Sequence, residues 1–323
     1  MSAAPPAIAT TAACGKVILL GEHAVVYGVP ALCGALSRGA EVQVIPGEGR
    51  LLVPAWNLQT PSAQALLAGS ADSSLAQAFA AILRALPADL PRPDGVDFVV
   101  RFSLPTGAGL GSSAALAVAL VRALGAVGER QLGRPLTAAE VDAAALAAEQ
   151  VFHGQPSGLD HTVAQHGGFG LFRRGQGLSL LAGSPVLATL SLCIGHTGRA
   201  RDTKGRVARV AELYQHDPPA IRQRFDHIAA LVERAVVAVQ SGDLATLGAT
   251  MNENQAELAH LDVSCSEIEV MCDLARQSGA LGCKLTGGGG GGCVVALAPG
   301  READVAAAWQ RAGFASFQVE VGS

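Results

Sequence analysis

Leu104-Pro-Thr-Gly-Ala-Gly-Leu-Gly-Ser-Ser-Ala-Ala115 sets three alternating glycines, Gly107, Gly109 and Gly111, between a strand-like run and a helix-like run. Glycine lets a backbone approach an anion closely, and a helix N-terminus offers free N–H groups and the positive end of its dipole. Ser112 and Ser113 add hydroxyls where a phosphate or a metal ion could sit. The segment lacks the G-K-[ST] ending of a Walker A loop, and its third glycine comes one residue early for G-x-G-x-x-G. Glu129, the nearest downstream acid, sits in a loop-like Gly-Glu-Arg segment, which also disfavours a dinucleotide fold. By itself such a loop is weak evidence, and a merely structural turn is the lesser alternative.

Working outward, Val96 to Phe102 alternates after its start and stops at Pro105, so it reads as a strand. Ala114 to Gly125 is apolar on nearly all sides and reads as a buried helix. The apolar stretch Ala114 to Val127 is short for a bilayer and contains Arg122. Lys16 to Leu20, Val42 to Ile45 and Arg50 to Val53 read as further strands, and Ser74 to Leu86 has helical spacing. Thr137-Ala-Ala-Glu140 is a capping box opening a helix to about Phe152, and Ser264-Cys-Ser-Glu267 has the same form. Gly279 suits the stop of the helix that follows the second box.

From about Pro185 the texture changes: a strand-like Leu187 to Ile194, helix-rich sequence from Gly205 to Gln277, then strand-like Cys283 to Thr286 and Cys293 to Leu297. The mixed order favours α+β over a doubly wound sheet, with two domains, 1–183 and 184–323.

Half of the 323 residues are hydrophobic and 15% are charged, which excludes disorder. The formal net charge is -4 with no basic run, so neither nucleic acid nor an acidic membrane surface is an obvious partner, and a small ligand is the better expectation. Seven cysteines without a C-x-x-C pair argue against zinc and redox motifs and read as buried thiols. Residues 1–12 read as a frayed lead-in. MSAAPPAIATTAAC has neither a basic residue nor a continuous apolar core, so no signal peptide and a cytoplasmic location are expected.

Three more segments carry possible chemistry. Gly15-Lys16-Val-Ile-Leu-Leu-Gly21-Glu22-His23-Ala-Val-Val-Tyr-Gly28 opens an apolar strand with a lysine and closes it with a glutamate and a histidine. Glu149 lies near the C-terminal end of an alanine-rich helix, where the dipole disfavours negative charge, so a compensating cation is expected. His153-Gly-Gln-Pro156-Ser157-Gly-Leu-Asp160 then presents Asp160 after a stiff turn. Lys284-Leu-Thr286 precedes six glycines, Gly287 to Gly292, and Cys293. Ordering six glycines costs much entropy, so close approach to a ligand or to the first glycine loop explains them better than a linker.

Taken together, Lys16–Gly28, Leu104–Ala115 and Lys284–Cys293 resemble, in order, the three signature motifs of the GHMP kinases, across nearly the whole chain. GKVILLGEHAVVYG and HGQPSGLD followed by Gly167-Gly168 resemble the mevalonate kinase branch; Cys14 stands where many of its members have proline. The resemblance implies a ribosomal protein S5 domain 2-like N-terminal domain and a ferredoxin-like C-terminal domain. It further implies a Mg²⁺- and ATP-dependent kinase for (R)-mevalonate, often a homodimer. Asp160 would be the catalytic base, Lys16 its partner, and Thr203 a residue near the transferred phosphoryl. Gly107, Ala108, Gly109, Leu110, Gly111, Ser112 and Ser113 would cradle ATP; Ser113 and Glu149 would hold Mg²⁺; Glu22, His23 and Ser157 would place the substrate. A kinase or decarboxylase acting on a different acceptor, or a non-catalytic ATP-binding module on the same fold, is the alternative.

Overall fold

The computed structural model describes residues 7–181 and 190–322. Its strands are β1 (Ala9–Leu20), β2 (Ala31–Pro46), β3 (Leu51–Val53), β4 (Leu58–Gln59), β5 (Val96–Phe102), β6 (Phe169–Arg173), β7 (Gly177–Leu180), β8 (Ser191–His196), β9 (Gly282–Leu285), β10 (Cys293–Leu297) and β11 (Ala315–Glu320). Its helices are α1 (Ala63–Leu67), α2 (Ser74–Ala85), α3 (Ser112–Leu132), α4 (Ala138–His153), α5 (Leu159–His166), α6 (Thr203–His216), α7 (Pro218–Ser241), α8 (Leu244–His260), α9 (Ser266–Gln277) and α10 (Glu302–Arg311).

Contacts divide the chain into two interleaved units, one of residues 1–15, 38–105 and 111–166, the other of 16–37, 106–110 and 167–323. A single cut at 183/184 was the expectation from composition; that boundary lies outside the described residues. The interleaving arises because β1 and β2 are long strands whose two halves each serve a different unit.

In the first unit, β2 pairs antiparallel with β5, β5 parallel with β3, and β3 antiparallel with β4. Alternate residues of β2 and β5, among them Val42, Val44, Phe98 and Val100, point into a core completed by α2, α3 and α4. Thr137 and Glu140 form the expected capping box, so α4 starts where the sequence says. α3 runs further than the apolar pattern alone, to Leu132, and takes Glu129 into the helix rather than into a loop. Its Ser112–Glu129 portion is long and apolar enough to cross a membrane, and 67% of it is buried inside the protein, as befits a core helix.

In the second unit, β8, β9, β10 and β11 form an antiparallel sheet in the order β11-β8-β10-β9. Numbered along this segment that is 4-1-3-2, with helices between the first and second and between the third and fourth strands, the ferredoxin-like plan. α9 and α10 cover one part of it, and buried Trp309 donates its indole N–H to the Met271 carbonyl at 2.8 Å. β2 also pairs here with β6, and β6 with β7.

Three local readings change. β1 begins at Ala9, within the supposed lead-in, because Ala and Thr residues there gain backbone partners that their composition does not announce. α9 is not opened by a Ser264 box: Cys265 is the N-cap and makes no side-chain cap bond, while Ser264 donates its hydroxyl to Glu269 instead. Of the expected strand 187–194, positions 187–189 lie outside the described residues; the strand described is β8.

Gly195 in β8 lies beneath two buried side chains: a Cβ there would meet Met271 Cε at 2.3 Å and Trp309 Cε3 at 2.7 Å. Gly195→Ala is expected to destabilise the protein by roughly 1–3 kcal/mol through overpacking. Urea unfolding of the pure variant checks it; an unchanged midpoint would show that the sheet and α10 yield freely.

Candidate active site

In the second unit, the first glycine loop meets the six-glycine loop backbone to backbone. A Cβ on Gly109 would lie 3.3 Å from the Thr286 carbonyl oxygen and 3.4 Å from Arg201 Nη1. A Cβ on Gly292 would lie 3.3 Å from the Ala108 carbonyl oxygen. Gly107 (φ 74°) and Gly109 (φ 91°) hold a left-handed conformation that side chains resist, so glycine is required twice over. Ala108 and Leu110 are buried, so they offer backbone, not side chain, to a ligand.

Two further ties fix this apposition to β1. The Lys16 N–H donates to the Leu110 carbonyl at 2.8 Å. Thr286 Oγ1 accepts from the Ile18 N–H and donates to the Ile18 carbonyl, both at 3.1 Å, so one hydroxyl stands in for a strand neighbour. Thr203 opens α6 against the same loop: a Cβ on Gly288 would be 2.6 Å from Thr203 Oγ1, which is buried and makes no hydrogen bond among the described residues. Arg201, two residues earlier, brings its guanidinium to Gly109; the sequence reading passed over it because a lone arginine in a turn carries no pattern.

Glu22 and His23 sit at the exit of β1 on a 3₁₀ turn, Ala24–Tyr27. Glu22 is 1% exposed and ion-paired with Lys284, itself fully buried; Lys284 also donates to the Leu285 carbonyl. Asn254 Nδ2 donates to the other carboxylate oxygen at 3.3 Å. Burial pushes the Glu22 carboxyl up and the Lys284 ammonium down, each opposed by the partner's charge. The sequence reading gave Glu22 to the substrate; the structure occupies its carboxylate with Lys284 and Asn254, and nothing in the spacing of positions 262 residues apart could announce that.

His23 has φ 60°, an unusual conformation for a non-glycine residue, and its Nε2 lies 3.0 Å from the Gly288 carbonyl, to which it donates. Burial lowers its pKa to about 4, the Gly288 bond opposing and the charges of Lys284 and Arg206 adding to the fall. The ring is therefore neutral at physiological pH, with Nδ1 as its acceptor face.

In the first unit, Gly111 (φ 75°) caps α3, placing Ser112 and Ser113 in its first turn beside free N–H groups. Ser113 Oγ lies 3.1 Å from His153 Nε2, which lies 3.8 Å from Glu149 Oε2. The hydroxyl and the buried carboxylate thus converge on one histidine nitrogen. Asp160 lies in the first turn of α5. Ser157, assigned to the substrate from the resemblance, accepts from the Leu159 N–H at 3.3 Å and so helps start α5. No group of three or more His, Cys, Asp or Glu residues suited to a metal occurs among the described residues. All seven cysteines are free.

Two outcomes follow from this chemistry. Glu22→Ala strands a buried ammonium and is expected to cost roughly 3–5 kcal/mol, while Glu22→Leu combined with Lys284→Met recovers most of it; urea unfolding of the pair decides. His23 protonates near 6.5 when unfolded and at about 4 when folded. Between these values the unfolded chain binds the extra proton, so stability contributed by His23 is present above pH 6.5 and lost as pH falls toward 4. His23→Gln is expected to flatten that part of the stability–pH curve; an unchanged slope would remove His23 as its source.

Residues 73–168 match the GHMP kinases N terminal domain, and residues 235–315 match the GHMP kinases C terminal domain. The chain is 35% identical to the mevalonate kinase of Pyrococcus horikoshii over 92% of its own length and 91% of that protein's. The L. major mevalonate kinase, solved in complex with R-mevalonate, is 31% identical, with a TM-score of 0.80 over 98% of this chain and 99% of that one. The Methanococcus jannaschii mevalonate kinase shares the fold at a TM-score of 0.84 and 20% identity, over 98% of both chains. Motif order, the paired glycine loops and these likenesses agree, and the chain belongs to the mevalonate kinase family of the GHMP kinases.

Proposed function

We propose that this enzyme transfers the γ-phosphoryl group of ATP to the 5-hydroxyl of (R)-mevalonate, giving 5-phosphomevalonate and ADP. The observation that supports the reading is the backbone apposition of Gly109 with Thr286 and of Gly292 with Ala108, which brings the two glycine loops together without side chains of their own. The choice of mevalonate rests on the relatives, whose likeness spans nearly the whole chain.

Phosphoryl transfer asks little covalent chemistry of a protein; it asks for positioning and charge stabilisation. In this reading Asp160, in the first turn of α5, takes the proton of the attacking alcohol. Lys16, 2% exposed at its strand, supplies an ammonium that offsets charge on the moving phosphoryl. The Gly107–Gly111 turn with Ser112 cradles the phosphates, and Thr203 offers its hydroxyl beside the six-glycine loop. His23 and Ser157 border the substrate; Glu22 acts through Lys284, holding the loop rather than touching the alcohol.

Ser113 and Glu149 suit a magnesium ion: both are hard oxygen donors, and they lie 3.1 and 3.8 Å from His153 Nε2. Bound there, Mg²⁺ would neutralise charge on the β- and γ-phosphates. The homodimeric state and cytoplasmic location implied by the resemblance belong to this proposal too.

A panel of small alcohols assayed for ADP release with Mg²⁺-ATP is the direct test. Turnover is expected with mevalonate, and activity only with another alcohol would overturn the substrate. Asp160→Ala is expected to lower kcat by about 10³-fold or more with ATP affinity retained; near-normal kcat would remove Asp160 as the base. For Glu149→Gln the Mg²⁺ concentration needed for half-maximal rate should rise, and an unshifted titration would take Glu149 out of the metal site.

A further inference from the structure

α5, the helix that presents Asp160, is only eight residues long and lies between glycines of positive φ, Gly158 on one side and Gly167 and Gly168 on the other. Such a segment has little backbone stiffness at either end, so its rotation about its own axis depends on what its side chains hold. Leu159 and Val163 bury in the core, but apolar contacts are non-directional. Directional ties come from two residues four apart, on one face: His161 and Gln165. Gln165 Nε2 donates to the Ala138 carbonyl at 2.7 Å. His161 Nε2 lies 3.2 Å from Asp142 Oδ1.

The histidine is the more specific of the two. It is buried, and its Nδ1 is shielded from water and makes no hydrogen bond among the described residues. Burial holds its pKa below the usual value, against the opposing charges of Asp142 and Asp160. The consistent state is a neutral ring whose one proton sits on Nε2 and is donated to Asp142. Asp142 in turn lies on α4, seven residues before Glu149, so two helical turns bring the two carboxylates to the same face of that helix.

We propose that the His161–Asp142 hydrogen bond is a positioning device that sets the rotation of α5, and thereby the direction of the Asp160 carboxylate, from the helix that also carries Glu149. His161 and Asp142 are positioning residues: they act through Asp160 and touch no reacting atom. The inference rests on the reading of Asp160 as the base. A displacement of about 1 Å at a reacting group can cost about 100-fold in rate, so a lost tie need not unfold anything to be felt.

The test is a set of steady-state and single-turnover measurements on Asp142→Ala, Asp142→Asn, Asp160→Ala and the double variant Asp142→Ala/Asp160→Ala. Asp142→Ala should lower kcat by about 10- to 100-fold with KM for ATP little changed. Asp142→Asn, which keeps an oxygen acceptor for the imidazole N–H, should restore most of that loss. In the double variant the Asp142 change should add nothing to the Asp160→Ala loss, because the group it positions is gone. Wild-type kcat in Asp142→Ala, equal loss in Asp142→Ala and Asp142→Asn, or a further fall in the double variant would each overturn the inference. Near-normal kcat in Asp160→Ala alone would overturn the base itself, separately from the pair.

Discussion

The second unit depends on two glycine-lined peptide backbones running against each other. Gly109 faces Thr286 and Arg201, and Gly292 faces Ala108, at separations that a single methyl group would violate or strain. This explains why so much glycine is tolerated at a position where its ordering entropy is high. Each glycine removes a Cβ from the interface, and several also adopt φ values that other residues avoid. What remains is backbone brought against backbone, with the Thr286 carbonyl facing Gly109 and the Ala108 carbonyl facing Gly292.

Such an apposition needs anchorage, and the protein supplies it at unusual cost. Glu22 and Lys284 form a fully buried ion pair joining the exit of β1 to the strand that leads into the six-glycine loop. Buried pairs rarely add net stability, because desolvation consumes the Coulomb attraction. Their value is specificity of arrangement: neither charge has another place to go, so the loop is registered to β1. Thr286 does the same with one hydroxyl bonded both ways to Ile18, and Asn254 completes the carboxylate's shell. The pair therefore reads as framework for the phosphate loop, and that is why a glutamate inside a functional motif has its carboxylate fully engaged by other side chains.

Legibility followed the range of the interactions involved. Thr137 and Glu140 meet three residues apart, so their capping box could be read directly, and the structure contains it. The identical pattern at Ser264 to Glu267 failed because Glu269, two residues further on, draws the Ser264 hydroxyl away, leaving Cys265 as a bare cap. The helix after the glycine loop was legible from its apolar run, but its extension through Glu129 to Leu132 was not, since solvent-facing residues at the far end break the pattern without breaking the helix. β1 was legible only at its apolar half; Ala9 to Cys14 acquires its strand character from pairing with β2. At the candidate site, glycine spacing picked out the two loops whose backbones meet, whereas the pairings Glu22–Lys284, Ser113–His153 and His161–Asp142 are long-range and invisible to spacing. They needed coordinates.

The two carboxylates assigned to chemistry occupy opposite electrostatic settings, and the contrast bears on their roles. Asp160 is in the first turn of α5, the end of a helix at which the aligned peptide dipoles are positive. Glu149 is near the last turn of α4, where the same dipoles repel it, and it is buried as well. A buried carboxylate at the wrong end of a helix is an expensive arrangement unless positive charge comes to it, and His153 Nε2, one turn later, lies 3.8 Å from it. The proposed division of labour runs along helix polarity: the carboxylate at the positive end of a helix is the one proposed as base, and the carboxylate at the negative end is the one proposed as ligand of a cation.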